Sequence, residues 1–238
     1  MATKDKLVTA ESLSALHEHN KETYITKENP TGTGSLSLNR LNYNEVGDYS
    51  VAVGYNTNAT GHASHAEGSW TVASGNRSHA EGGGVSSVGR EVLVADYPDF
   101  LSEDIIVQGS TASANVSHAE GDQTLAFGTA SHAEGSQTNA FGTASHAEGL
   151  QTVALGQSQH VQGKYNIKDV LGIYAHIVGN GESDKARSNA HTVDWSGNAW
   201  FAGDINADGN MILSSNQYGD ELPNAGNKGR IFFKRLVE

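Results

Sequence analysis

The chain has 238 residues, enough for one or two domains, and carries 27 Asp+Glu against 15 Lys+Arg, a net charge of −12. A surface that acidic repels nucleic-acid phosphates and anionic lipid, and the absence of cysteine excludes a disulfide framework and thiol catalysis. No apolar run approaches the roughly 18 residues of a membrane span, and the N-terminus lacks a signal-peptide h-region, so membrane insertion is not expected.

Residues 1–34 read as a separate unit. Thr9 is an N-cap candidate, and the Gly- and Pro-free stretch from Ala10 to Tyr24 puts Leu13, Leu16, His17 and Asn20 on one face. The pattern predicts a helix of about four turns ending before Asn29-Pro30. Thr31-Gly32-Thr33-Gly34 then reads as a linker. A helix that short is marginal alone, so association or docking is expected to stabilise it.

Residues 35–163 are periodic. Ser-His-Ala-Glu-Gly occurs at Ser64–Gly68, Ser78–Gly82, Ser117–Gly121, Ser131–Gly135 and Ser145–Gly149. Ser50-Val51-Ala52-Val53-Gly54 is a variant 14 residues before the first, and Gln159–Gly163 a decayed copy 14 after the last. Each period has a second half, Thr-x-Ala-x-Gly, as in Thr124–Gly128, Thr138–Gly142 and Thr152–Gly156. Two short alternating segments, each closed by Gly, make one rung of a solenoid. Alternation sends Ser, Ala and Thr into a narrow interior and His and Glu outward. Leu125, Phe127, Phe141, Val153 and Leu155 also point outward. So thin a core, with large apolar groups outside it, predicts an obligate oligomer.

His79 and His118 are 39 residues apart. Read as two periods, with Gly89 and Asp104–Val107 on the frame, this leaves an insertion of 11 residues near 91–101, apolar enough to pack on a neighbour. Residues 164–238 lose the period. Tyr174–Val178 reads as a strand, and turns are expected at Asp194–Asn198 and Ala207–Asn210, giving an irregular β tip.

The 14-residue frame resembles the left-handed parallel β-roll of trimeric autotransporter adhesin heads. Its Ser-His-Ala-Glu-Gly form resembles tail-fibre and tail-tip proteins of phages and prophages of Gram-positive bacteria. So do Leu7–Leu13, Gly163–Asn166, Ala175–Gly181, Ser188–Asn198 and Gly226–Phe233. The resemblance implies a fold that is all-β, a left-handed parallel β-roll assembled as a homotrimer, with the positions of Val51 and Val53 facing the trimer interior. The chain shows no barrel anchor of the autotransporter kind, which favours the phage reading. Residues 1–30 would then attach to other virion tail proteins, after synthesis in the bacterial cytoplasm.

On a three-fold axis, His65, Glu67, His79, Glu81, His118, Glu120, His132, Glu134, His146 and Glu148 form rings. One reading is an interchain His–Glu ladder at the trimer seam. The other is a metal ion on the axis, with His118, His132 and His146 as ligands. No other cofactor is expected. Gly82-Gly83-Gly84 lacks the Lys-Ser/Thr of a phosphate loop, and Asp194, Asp204 and Asp208 lack EF-hand spacing. No catalytic residue stands out. The expected function is non-enzymatic: a phage tail fibre or tail-tip protein binding a host-surface glycan or protein. The alternatives are a glycan depolymerase-type tail spike and a bacterial surface adhesin. Recognition is expected where the repeat breaks, at Tyr97 and Phe100 in the insertion and at Trp195 and Tyr218 in the tip, with Trp200 and Phe201 in the tip's core.

Overall fold

A computed structural model describes the backbone of residues 36–38 and residues 46–84 and 89–205. The expected N-terminal helix and linker, the 207–210 turn, Tyr218 and the other residues of the C-terminal stretch lie outside the described residues. One compact unit reaches Gly203.

The unit is an all-β parallel solenoid of about nine turns. Each 14-residue rung contributes a five-residue strand to a long sheet and a two-residue strand to a short one, as in His118–Asp122 followed by Leu125–Ala126. Rungs stack in strict register, His118 beside His132 beside His146 and Ala126 beside Ala140 beside Ala154. The short sheet has six parallel strands, from Asn58–Ala59 to Val153–Ala154.

The bends are not made by glycine alone. Every seventh residue, just before the Ser or Thr, is a non-glycine in the left-handed region, with φ 55° at Ala130, 57° at Gln137, 54° at Ala144 and 50° at Gln151. Such a conformation costs of order 1–3 kcal/mol per residue. A hydrogen bond to the previous rung fixes each corner: Ala144 N–H donates to Thr129 O and Gln151 N–H to Ser136 O, both at 2.8 Å. The glycines answer a different need, the close approach of rungs. Gly135 has φ +101°, and a Cβ there would collide with the carbonyl oxygen of Gly149.

The interior follows the alternation. Ala119, Ala133 and Ala147 from the long strands meet Ala126, Ala140 and Ala154 from the short ones, all fully buried. The buried Ser and Thr columns lie beside them. Where the stack ends, larger side chains take over, Val46 at one end and Val161 and Ile177 at the other.

The insertion departs from expectation. His79–Gly83 pairs directly with His118–Asp122, and Val72–Ala73 with Thr111–Ala112. The 39 residues between His79 and His118 therefore hold one rung of 14, and the insertion is 25 residues long, not 11. It leaves the frame between the long and short strands of a single rung, so neither Gly89 nor Asp104–Val107 is on the frame. Arg90–Val92 and Ile105–Val107 form an antiparallel hairpin around a 3-10 turn at Val94–Asp96. Rather than reaching a neighbour, it folds onto the outer face of its own short sheet. Val92, Tyr97, Leu101 and Val107 bury Leu125, Phe141, Val153 and Leu155. The outward apolar residues read as evidence for an oligomer are thus covered within one chain, each burial worth about 1.5–3 kcal/mol.

Arg90 fastens this cover. Its Nη2 donates to Gln123 O and to Asn139 Oδ1, both at 2.9 Å, and burial pushes its pKa down to about 10, leaving it charged at neutral pH.

The last short strand would leave open backbone groups. Asn166 closes them, its Oδ1 accepting from Val153 N–H at 2.8 Å and its Nδ2 donating to Val153 O at 3.0 Å. Gln159 Oε1 accepts from Leu155 N–H at 3.0 Å and Gly156 N–H at 3.2 Å. The long sheet runs on past residue 163. Tyr174–Asn180 is its next parallel strand, and Asn189–Asp194 and Ala199–Phe201 continue it antiparallel. The turn between them is the expected one: Asp194 Oδ1 accepts from Ser196 and Asn198 N–H, both at 2.8 Å. A hydrogen bond from the Asn198 side chain, and then those backbone bonds, hold its carboxyl below the usual value.

Candidate functional site

The outer face of the long sheet carries the most ordered polar array among the described residues. In-register stacking forces identical side chains into columns. The imidazoles of His65, His79, His118, His132, His146 and His160 lie nearly parallel, with successive centroids 4.6–4.8 Å apart. His160 and His176 lengthen the column beyond the five recognised pentapeptides, the first in the decayed copy and the second aligned with it by sheet pairing alone. The ring of His191 meets that of His176 edge-on at 5.7 Å, but its strand partner is Val178, in the register of the glutamates.

Two residues along each strand stands the glutamate column. Three of the five glutamates serve two rungs. Glu81 reaches His79 at 4.0 Å and His118 at 3.7 Å; Glu120 reaches His118 at 3.9 Å and His132 at 4.0 Å; Glu134 reaches His132 at 4.0 Å and His146 at 3.4 Å. Glu148 continues the zigzag to His160 at 3.5 Å, and His65 contacts Glu67 at 3.6 Å. The expected residues do come together, and the ladder runs within one chain. The side chains remain about a third exposed, 34 % for His132 and 29 % for Glu134.

The Nε2 atoms of His79, His118, His132, His146 and His160 are closed off from solvent and lack a hydrogen-bond partner among the described residues. Desolvation, and then the charges of His118 and His146, hold the pKa of His132 below its ordinary value against the opposing pull of Glu134 and Glu120. His176 is lowered in the same way, by desolvation and then by His160 and His191. Beside the glutamates, the side-chain-free glycine column leaves a shallow open trough along the sheet, lined by Glu81, Glu120, Glu134, Glu148 and their glycines. Val51 and Val53 take the same frame positions, Val51 paired with His65 and Val53 with Glu67. Apolar and polar pairs are therefore interchangeable in this geometry.

The aromatic recognition candidates divide. Tyr97 is buried, stacked on Phe141 with centroids 4.6 Å apart, and is a packing residue of the insertion rather than an exposed contact. Phe100 packs partly buried against the same cluster. Trp195 is exposed, its Nε1 donating to Gly172 O at 3.0 Å. Trp200 and Phe201, expected in a core, are about half exposed on the edge strand. The loop Ile167–Ile173 adds exposed Ile167, Val170, Leu171 and Ile173 near Trp195. It sits where the repeat has ended, and period alone gave no signal for it.

No curated protein and no solved structure matches the chain. Residues 46–69, 119–138 and 140–158 match the YadA head domain repeat family, so the solenoid is similar to the head of a trimeric autotransporter adhesin.

Proposed function

We propose that the protein is a non-enzymatic adhesive fibre module that works as a homotrimer, its three long sheets facing one another through the His/Glu column. One observation carries this reading. The chain covers the outer face of its short sheet at Leu125, Asn139 and Val153 with its own insertion, whereas the long sheet keeps an in-register column about a third exposed, with a trough beside it. The interchangeability of Val51/Val53 with His/Glu supports it, because a seam tolerates either an apolar or a paired polar filling. The match to the YadA head domain repeat supports both the trimer and adhesion to a host surface.

The pentapeptide form of the repeat supports a phage tail-fibre or tail-tip setting, with residues 1–30 attaching to other tail proteins. The family match favours a second setting, a bacterial surface adhesin. Receptor contact is assigned to the end of the solenoid, at Trp195, Trp200, Phe201 and the 167–173 loop, where apolar surface is exposed. Immunogold electron microscopy on producing cells separates the settings: label on tail structures supports the first, label on intact cell surfaces the second. Sedimentation of the purified chain as a folded monomer at micromolar concentration would overturn the trimer.

A further inference from the structure

The His/Glu column has a property that an ion-pair ladder does not need. A charge-assisted hydrogen bond between imidazole and carboxylate closes to about 2.7–2.9 Å. Here the Nε2 and Oε atoms stand 3.4–4.0 Å apart, too far for that bond. Two ligands of one tetrahedral ion with metal–ligand distances of about 2.0–2.2 Å lie about 3.3–3.6 Å apart. The pair His146–Glu134, at 3.4 Å, already has this spacing.

We propose that this column binds divalent transition-metal ions within a single chain, independently of the trimer seam. Three sets bring one ligand atom from each residue within 4.8 Å of the others: Glu67, His79 and Glu81; His118, Glu120 and His132; and His132, Glu134 and His146. Within each set the more distant ligand closes in by turning its ring or carboxylate about χ2 or χ3, and water completes the shell. The buried Nε2 atoms without hydrogen-bond partners supply a second, independent observation. In the neutral ring that carries its proton on Nδ1, each such Nε2 is a lone pair removed from water, and a metal satisfies it directly. Imidazole selects zinc-like ions over magnesium and calcium, which prefer all-oxygen shells. The open trough gives the ion access along the glutamates.

The second and third sets share His132, whose single Nε2 serves only one ion at a time. Among the described residues, full loading is therefore about two ions per chain, not three.

The test uses the full, untagged chain stripped with chelator, equilibrated with Zn2+ by dialysis and measured by elemental analysis. The wild type should hold about two Zn2+ per chain. Joint His132→Val and Glu134→Val substitution should leave about one, because it removes both sets that need His132. His79→Val with Glu81→Val should likewise leave about one. Valine already fills these frame positions at Val51 and Val53, so the variants keep the register. On the wild type alone, Co2+ should develop the visible absorption of a tetrahedral site, and excess Mg2+ should not suppress it. Any of four results overturns the proposal: no saturable Zn2+ uptake, uptake unchanged in both variants, equal competition by Mg2+, or one ion per three chains, which would put the metal on the trimer axis.

Discussion

Tyr97 lies against Phe141, ring centroids 4.6 Å apart, and this contact joins the insertion to the solenoid across 44 positions of sequence. Phe100 and Phe127 pack on the same ring at 5.3 and 5.7 Å. Phe141→Ala should therefore destabilise the protein by about 3–5 kcal/mol, the range for a buried aromatic that leaves a cavity. Chemical denaturation measures it. A loss below about 1 kcal/mol would mean that the insertion does not cover the short sheet.

The glycines separate two kinds of constraint. Gly135 and Gly197 both have positive φ, +101° and +84°. A Cβ at Gly135 meets the backbone of the next rung, whereas one at Gly197 meets nothing within 4 Å. Gly197→Ala should cost about 1–2 kcal/mol from the backbone alone. Gly135→Ala should cost more than about 3 kcal/mol, or prevent folding, because rungs in register cannot part at one position. Thermal melts of the two variants compare them directly, and equal losses would contradict the close approach of rungs.

Acid should weaken the fold. His132 and His176 both have folded pKa values below the ordinary 6.5. A depressed folded value means that the unfolded chain takes up the proton first. Stability from these groups is thus full above about pH 6.5 and is lost as pH falls through the folded values. In the presence of chelator, the melting temperature should fall between pH 7.5 and 5, and His132→Val with Glu134→Val should flatten that fall. A melting temperature that rises on acidification would show instead that the glutamates outweigh burial and the neighbouring imidazoles.

The repeat made most of the solenoid legible before any coordinate. Period fixed the rung, and alternation separated Ala133 inside from His132 and Glu134 outside. What it could not supply was the origin of the bends. Ala130 and Gln137 are ordinary residues forced into the left-handed region by hydrogen bonds to the previous rung, and no local propensity announces that. Nor could counting locate the insertion. A 39-residue spacing divides as two rungs and 11 or as one rung and 25, and only the pairing of His79 with His118 decides. The same ambiguity hid the partner of Phe141. An outward aromatic looks alike in sequence whether a second chain or its own chain covers it. His176 was missed as a column member because its strand joins the sheet by pairing after the repeat has gone.

The His/Glu face of the long sheet is the proposed seam between copies of the chain. The sequence contains no cysteine, so a single introduced thiol reports on one place. Glu134→Cys, on the seam, should form covalent dimers under mild oxidation, while Asp184→Cys, exposed off that face, should not. Glu134→Cys remaining monomeric under the same oxidation, in protein shown by sedimentation to be folded, would contradict the account.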